Sequence, residues 1–355
     1  MKKYVWLVVL MIIFAFAIGV RIINKNNPKV LLDVSIKNKD ENKNDTKNVI
    51  KSVKISAAGD CTLGWDPRYG YATRFDKYLD DNNGDFGYYF KKVKDVFEKD
   101  DLTIVNLEGQ FTTSNDKVEK KYNFKGPTSY VNILKEGSIE AVSFANNHAR
   151  DFGEKGYNET IETLKKAGVL YYGDSNYLIK EINGIKIGFF AFLDIYSQKY
   201  SLIRDAIDYL KENNCDLIIA SMHWGIEGDY KQASFQEKMG RYMIDNGVDL
   251  VLGSHPHRIQ GIEKYKGKYI VYSMANFSFG GNQNPLDKDT FIFQQTFNFI
   301  DGQLVLDDSI NIIPASVSGV KNVNNYQPVI LEDEERERVF NKIMKYSSGF
   351  DYKLD

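Results

Sequence analysis

Cysteine and histidine are both scarce in this chain of 355 residues, and each shortage limits the functions that are possible. The two cysteines, Cys61 and Cys215, are too few for a disulfide framework, so either a single bond or two buried thiols is expected. The net charge of −2 provides no basic face, which argues against nucleic acid as a partner. The hydrophobic share of 43% is sufficient for a large folded core.

The histidines are the strongest clue to function because of where they stand. The chain contains four of them: His148, His223, His255 and His257. Each follows an apolar, strand-like run, and these runs lie at 141–145, 216–220 and 248–252. Open α/β sheets bind ligands at the carboxyl ends of their strands. We therefore predict one metal site assembled from separate strands. The alternative is that each histidine is packed individually in the core or at the surface.

The beginning of the chain has the pattern of a membrane anchor. Lys2 and Lys3 precede an apolar run at 4–20, which is at the lower limit of the length that spans a bilayer. Residues 1–23 are therefore predicted to be an uncleaved anchor, with the main domain outside the cytoplasm and a single pass through the cell membrane. A cleaved signal peptide is the alternative, because Ala15-Phe16-Ala17 offers a weak processing site.

Composition and periodicity divide the rest of the chain into three parts. Residues 24–52 are rich in Lys, Asn and Asp and predict a flexible polar linker, because they bury too little apolar surface. Strand and helix patterns alternate through 53–315, which predicts an α/β domain. Two late runs, 290–299 and 304–313, predict an antiparallel hairpin that makes the sheets mixed. A charged helix is expected in the extension at 316–355.

Acidic and amide side chains also stand at the ends of predicted strands. Asp60 and Glu108 each follow a β-like run, and Asn147 directly precedes His148. Carboxylate, amide and imidazole groups together suit Mn, Fe or Zn better than Ca. Asp151 lies three residues after His148 and is expected to orient its imidazole. These residues extend the predicted metal site beyond the histidines.

Five short motifs, taken in order, resemble those of a known family. They are Gly-Asp, Asn-Leu-Glu, Asn-Asn-His-Ala-x-Asp-x-Gly, His-Trp-Gly and Gly-x-His-Pro-His, and the similarity that they mark covers roughly residues 53–313. This order resembles the bacterial capsule-synthesis protein family of the CapA/PgsA type, which looks like a branch of the calcineurin-like metallophosphoesterases. The resemblance implies a four-layer αββα sandwich of mixed sheets, with a site for two divalent metal ions at the strand ends.

The resemblance also implies a role for each candidate residue. Asp60 and His257 would bind a first cation, and Glu108 would bridge it to a second. The ligands of the second cation would be Asn147, His223 and His255. His148 and Asp151 would form the catalytic pair, with His148 acting as acid or electrostatic partner near the leaving group.

The first metal site departs from the family pattern. Metallophosphoesterases commonly begin with Asp-x-His, whereas Asp60-Cys61-Thr62 contains no histidine at that place. The first cation would therefore have one ligand fewer. Asn106 and Lys125 are candidate contacts to an anionic substrate, although a solvated side chain is the simpler interpretation of Lys125.

Three functions remain open at this point. The first is a membrane-anchored, extracytoplasmic component of poly-γ-glutamate synthesis or export, whose partners would be the anionic polymer and membrane subunits of a capsule synthetase. The second is a free-standing metal-dependent hydrolase that cleaves a phosphoester or an amide in the cell envelope. The third is a degenerate module that binds the polymer without turnover, an interpretation that the absent histidine keeps open.

Overall fold

Two β-sheets stacked face to face form the centre of the protein. The computed structural model describes residues 29–33, 50–195 and 199–350. The strands are β1 (Lys29–Asp33), β2 (Ile50–Thr62), β3 (Leu102–Leu107), β4 (Gln110–Phe111), β5 (Lys125–Gly126), β6 (Ala141–Ser143), β7 (Leu170–Tyr172), β8 (Asn176–Ile182), β9 (Ile185–Leu193), β10 (Leu217–His223), β11 (Leu250–Ser254), β12 (Ile262–Tyr265), β13 (Lys268–Val271), β14 (Asn276–Phe279), β15 (Asp289–Ile300), β16 (Gln303–Val305), β17 (Ile310–Ser316) and β18 (Val329–Ile330). The helices are α1 (Phe75–Asp81), α2 (Lys94–Phe97), α3 (Val131–Glu136), α4 (Gly153–Ala167), α5 (Tyr200–Glu212), α6 (Ser234–Asp245) and α7 (Asp333–Ser347).

Both sheets are mixed, as the sequence predicts. The first has seven strands in the order β1-β8-β9-β10-β11-β13-β12, and the second follows the path β18-β17-β15-β2-β3-β6-β7, with β14 beside β2 and β16 beside β15. Strands β9, β10, β11 and β13 run parallel in the first sheet, as do β2, β3, β6 and β7 in the second. Their carboxyl ends therefore form one edge of each sheet.

The space between the sheets is filled by alternate side chains of the central strands. Val53, Ile55 and Ala57 of β2 point into this space and pack in one cluster with Ile187 of β9 and Ile219 of β10. The period of two in β2 follows from the pleat, which sends successive side chains to opposite faces. Burying one such isoleucine contributes roughly 1.5–3 kcal/mol, so this cluster is a main source of stability.

Helices cover the two outer faces of the sheets. Tyr157, Ile161 and Leu164 lie on one face of α4 and pack against the second sheet. Ile203 and Leu210 of α5 pack in the same way against the first sheet. Apolar residues that recur at helical spacing explain why each helix buries one side. The order of the layers is helix, sheet, sheet, helix.

The charged helix predicted near the carboxyl end is present as α7. Its Val339 and Ile343 are buried in the cluster between the sheets. Asp289, at the start of β15, accepts two hydrogen bonds of 2.7 Å from Arg338 and one of 2.8 Å from Lys342. Apolar burial and ion pairing thus fix this helix against the second sheet.

Two local predictions had opposite outcomes. The hairpin around Asp301-Gly302 is confirmed, with φ of 50° and 78° at the two turn residues.

The apolar spacing at 88–99 predicts a continuous helix, and this prediction is wrong. The structure has a 3-10 turn at Phe86–Tyr89 and a single helical turn in α2. Tertiary packing overrides the local pattern, because Phe90 is fully buried and its ring contacts the rings of both Phe97 and Phe277.

The predicted linker at 24–52 contains a strand. Lys29–Asp33 pairs in parallel with β8 and lies at the edge of the first sheet. Its sequence, Val30-Leu31-Leu32 between charged residues, is compatible with a strand.

The predicted anchor at 1–23 lies outside the described residues. In the parts of the chain that the structure describes, no helix is long and apolar enough to cross a membrane. Cys61 and Cys215 are free thiols.

Candidate metal centre

Polar residues from both sheets meet at the carboxyl edges of the parallel strands. Asp60, in β2, and Glu108, directly after β3, come from the second sheet. His223 is the last residue of β10 in the first sheet, and His255 and His257 follow β11. All of these side chains are buried except that of His257, which is 19% exposed. The structure therefore brings together residues that the sequence places at separate strand ends.

The loop that carries His255 and His257 is held in a strained conformation. Their φ angles are 98° and 54°, in the left-handed region. This conformation costs a non-glycine residue on the order of 1–3 kcal/mol. Just before them, Gly253 lies so close to its neighbour that a Cβ would stand 2.0 Å from the carbonyl oxygen of Tyr272. Strain that the surrounding structure maintains is typical of functional sites.

We expect Gly253→Ala to destabilise the protein and displace both histidines, because the added methyl group has no space. The free energy of unfolding should fall by roughly 1–3 kcal/mol, as measured by urea denaturation. Gly70→Ala is the matched control, since Gly70 has an ordinary φ of −65° and its Cβ would meet nothing within 4 Å. Equal stability of the two variants would contradict the close packing at Gly253.

One group of side chains matches the predicted first metal site. Asp60, Glu108 and His257 each offer a ligand atom, and these atoms lie within 4.8 Å of one another. His257 Nδ1 is 3.2 Å from Asp60 Oδ2, and His257 Nε2 is 3.8 Å from Glu108 Oε1. His257 Nδ1 also lies 2.8 Å from Asn276 Oδ1, which fixes the ring from behind.

A second group matches the predicted second site. Glu108, His223 and His255 offer atoms within the same limit of 4.8 Å. His223 Nε2 is 3.1 Å from His255 Nδ1 and 2.9 Å from Asn147 Oδ1, so Asn147 joins this group. Glu108 belongs to both groups. Its carboxylate therefore lies near the donor atoms of both.

Glu108 provides the strongest sign that the site holds cations. Its side chain is fully buried, and neither carboxylate oxygen has a hydrogen-bond partner within the described residues. The Nε2 atoms of three histidines lie 3.6–4.0 Å from Oε1; these are His223, His257 and His148. An unsatisfied buried carboxylate is strongly unfavourable, and a bound cation would remove that penalty. The residues present thus fit a metal centre.

Neighbouring charges separate the pKa values of two histidines in the cluster. Burial lowers the pKa of His257, but Glu108 and Asp60 outweigh burial and raise it to about 9. Burial and the charge of His257 lower the pKa of His255 to about 4. Without metal at neutral pH, a protonated His257 therefore offsets only one of the two buried carboxylate charges, while His255 is neutral. A neutral imidazole is the form that binds a metal.

His148 faces this cluster from the loop after β6. Its Nδ1 lies 2.7 Å from Asp151 Oδ2, and Lys120 Nζ forms an ion pair of 2.7 Å with the other oxygen of that carboxylate. With Nδ1 held in this way, Nε2 points toward the cluster and lies 4.0 Å from Glu108 Oε1. Burial lowers the pKa of His148, and Asp151 partly offsets this effect. The arrangement leaves Nε2 available to a bound substrate.

The two residues predicted to contact substrate lie in different places. Asn106 is buried behind the ligands, where its amide donates a 2.8 Å hydrogen bond to Asp60 Oδ1. Lys125 is not brought to the cluster, because its ammonium group is bound to the Ser114 carbonyl and to Asn115 Oδ1. Asn106 thus positions a metal ligand, and the ammonium of Lys125 holds a surface loop.

Sequence reasoning missed three residues of the site. Lys120 lies in a polar loop among other lysines, so no local pattern distinguishes it. Glu227 is an exposed acid four residues after His223, and its carboxylate lies close to His255 and His257. Asn276 follows a strand-like run, which is the signal that identified the other ligands and would have identified it too.

A cavity of about 580 Å³ opens beside the cluster. His148 and His257 stand at its inner end, and its walls include the aromatic residues Tyr69, Tyr122, Phe124 and Phe279. The Phe124 ring lies over the imidazole of His148, with 4.3 Å between centroids. A larger cavity, of about 820 Å³, lies near the amino ends of β3 and β6 and contains none of the predicted site residues. Of these two cavities, the smaller is therefore the one that adjoins the cluster.

The sheets, flanking helices and strand-edge cluster together define a class of protein. They form a mixed α/β sandwich that is consistent with the metallophosphoesterase-like fold. A family model, described as bacterial capsule synthesis protein PGA_cap, matches residues 54–281. The chain belongs to this family, which confirms the resemblance seen in its five motifs.

Three curated relatives carry related names. The capsule biosynthesis protein CapA of Bacillus anthracis is 29% identical over 220 residues, which cover 54% of each chain. The PGA biosynthesis protein CapA of Bacillus subtilis is 26% identical over 213 residues, or 54% of this chain and 56% of that one. A probable polyglutamine synthesis accessory protein of Mycobacterium tuberculosis is 23% identical over 258 residues, or 62% and 67%. The chain spans about half the length of the two CapA proteins.

Proposed function

We propose that the protein acts in the synthesis or export of an anionic capsule polymer of the poly-γ-glutamate type, through a metal-dependent hydrolase centre. Membership of the capsule synthesis family supports the capsule role. The observation that carries the hydrolase centre is the buried Glu108 carboxylate, which lies among imidazoles and has no hydrogen-bond partner in the described part of the chain. A buried carboxylate of this kind contributes little to packing, and a bound cation would offset the cost of burying its charge.

The donor atoms would hold two divalent cations of the Mn, Fe or Zn type. Asp60 and His257 would bind one cation, and Glu108 would be shared. The remaining ligands would be Asn147, His223 and His255. When bound, such cations polarise a phosphoryl or carbonyl oxygen of the substrate and make water more acidic.

The residues around the cations would position the substrate and move a proton. In its protonated form, His148 would donate the Nε2 proton to the leaving group of a phosphoester or amide and become neutral, while Asp151 accepts a hydrogen bond from Nδ1 and stabilises the imidazolium. Lys120 would hold the Asp151 carboxylate in place through their ion pair. Arg258 lines the cavity and would provide positive charge for an anionic chain.

The proposal includes attachment to the membrane. Residues 1–23 would anchor the protein, the domain would lie outside the cytoplasm, and membrane subunits of a capsule synthetase would be partners. The apolar run at 4–20 supports this arrangement. Carbonate extraction of membranes that carry the full chain tests it, since an anchored protein stays with the lipid and a peripheral protein is released.

Metal content and turnover of the purified full-length protein test the centre itself. After loading with Mn²⁺ and gel filtration, we expect two metal equivalents by elemental analysis and hydrolysis of a generic phosphodiester or of poly-γ-glutamate. If the protein binds metal but hydrolyses neither substrate, the hydrolase proposal is wrong and the site belongs to a polymer-binding module. Absence of bound metal would contradict the centre altogether.

A further inference from the structure

The first metal site of this chain has an incomplete set of ligands. Asp60, Glu108 and His257 provide three, and the position that often holds a histidine two residues after the first aspartate is Thr62. Thr62 cannot replace it, because its hydroxyl donates a 2.8 Å hydrogen bond to the Glu108 carbonyl oxygen. The neighbouring Cys61 is fully buried in the hydrophobic core and belongs to none of the ligand groups. A further ligand must come from elsewhere in the fold.

Glu227 is the carboxylate that the structure brings beside His257 of the first group and His255 of the second. It forms a third group with His255 and His257, in which the ligand atoms again lie within 4.8 Å of one another. It also lies in the wall of the cavity beside His148 and His257. We propose that the Glu227 carboxylate completes the coordination of the first cation and replaces the histidine that this chain lacks. The inference rests on the metal centre proposed above and adds a residue to it.

The backbone holds Glu227 in place beside the histidines. The turn after β10 contains two glycines with left-handed φ, 91° at Gly225 and 87° at Gly228. Gly228 N donates a 2.8 Å hydrogen bond to the carbonyl oxygen of Pro256, the residue between the two histidines. At the other end of the turn, Trp224 N donates to the Ser254 carbonyl oxygen at 3.1 Å. Both ends of the turn are thus tied to the loop that carries His255 and His257.

The charge of Glu227 also favours a cation as its partner. The side chain is exposed, and among the described residues no lysine or arginine forms an ion pair with it. A carboxylate in the wall of the cavity would repel an anionic polymer unless a positive charge lies beside it. A cation bound between Glu227 and His257 would remove this repulsion while it provides the missing coordination.

Titration of the full-length protein with Mn²⁺ tests the proposal through binding rather than activity. Wild type, Glu227→Gln and Asp229→Asn would be compared by calorimetry and by elemental analysis after gel filtration. Glu227→Gln keeps the size of the side chain and removes its charge. Asp229 is the matched control, because it is an exposed acid two residues away that belongs to none of the three ligand groups.

We expect Glu227→Gln to lose one of two Mn²⁺ equivalents, or to bind it at least roughly 10-fold more weakly. Asp229→Asn should bind like the wild type. The spin–spin coupling of a Mn²⁺ pair in electron paramagnetic resonance should give way to the signal of a single ion. If the wild type binds only one Mn²⁺ equivalent, weaker binding of that ion by Glu227→Gln supports the proposal. Unchanged binding of that ion overturns it.

The test separates this inference from the proposed function. Two equivalents bound with unchanged affinity by Glu227→Gln would overturn the role of Glu227 and leave the metal centre intact. No binding by the wild type would overturn both. Because Glu227 is exposed, the metal-free variant should melt at the temperature of the wild type, which excludes misfolding as the cause of lost binding.

Discussion

Glu108→Gln is expected to abolish tight Mn²⁺ binding and, at the same time, to make the metal-free protein more stable. Glutamine preserves the shape of the side chain but removes a charge that is buried without hydrogen bonds. Burial and the nearby Asp60 already raise the pKa of Glu108, which shows that its charged form is unfavourable without a cation. We expect Mn²⁺ affinity to fall by roughly 100-fold or more. The free energy of unfolding of the metal-free variant should rise by roughly 1–3 kcal/mol.

Calorimetry with Mn²⁺ and urea denaturation in a chelator measure the two effects separately. Glu140→Gln is a suitable control, since Glu140 lies just before β6, away from the cluster, and accepts a 2.8 Å hydrogen bond from Thr103 N. Glu140→Gln should leave the Mn²⁺ affinity unchanged. It should also not raise the free energy of unfolding of the metal-free protein. Unchanged affinity in Glu108→Gln would show that the carboxylate does not bind the cation. A less stable metal-free variant would show that the buried charge is compensated by the protein itself.

His148→Ala is expected to reduce turnover by roughly 10²–10⁴-fold without loss of bound metal. The Nε2 atom faces the cluster, but His148 belongs to none of the ligand groups. If the imidazole donates a proton to the leaving group, the loss should be largest for substrates whose leaving group is basic. We therefore expect a greater loss with an alkyl phosphoester than with a nitrophenyl phosphoester.

The rates of both substrates and the metal content of the variant together decide the role of His148. Lys120→Met provides a comparison, because it removes the ion pair to Asp151 while the imidazole itself is kept. Its loss of turnover should be smaller and should show the same dependence on the leaving group. An equal loss of rate on both substrates in His148→Ala would argue against proton donation. A loss of metal would instead make His148 a ligand.

The sequence was informative wherever local pattern and tertiary structure agree. The apolar run at 185–193 predicts a strand, and strand β9 has these limits. Its apolar residues are buried on both faces of a central strand. The histidines could be assigned to one site because the carboxyl ends of parallel strands share an edge. Nothing more than strand position was needed to place Asp60, Glu108 and His255 near one another.

Other features depend on contacts that no local pattern encodes. Phe90 and Phe97 have helical spacing, yet both pack on Phe277, which lies far along the chain. Glu227 reaches the histidines because the turn after β10 is hydrogen-bonded to the loop after β11. Strand β1 is a short apolar run in a polar segment, and its partner β8 lies far along the chain. In each case long-range packing decides what the local sequence leaves open.

The ligands of the candidate centre come from both sheets, with Asp60 and Glu108 on one and His223 and His255 on the other. A bound cation would thus add a cross-link between two layers that apolar contacts and hydrogen bonds such as Tyr172 to Ser221 already join. Such a link can form only late in folding, after distant segments have met, and it must break before the layers separate. The metal-loaded protein should therefore unfold at a rate limited by cation release, even where the gain in equilibrium stability is modest. Metal supply would then govern the lifetime of the protein as well as its activity.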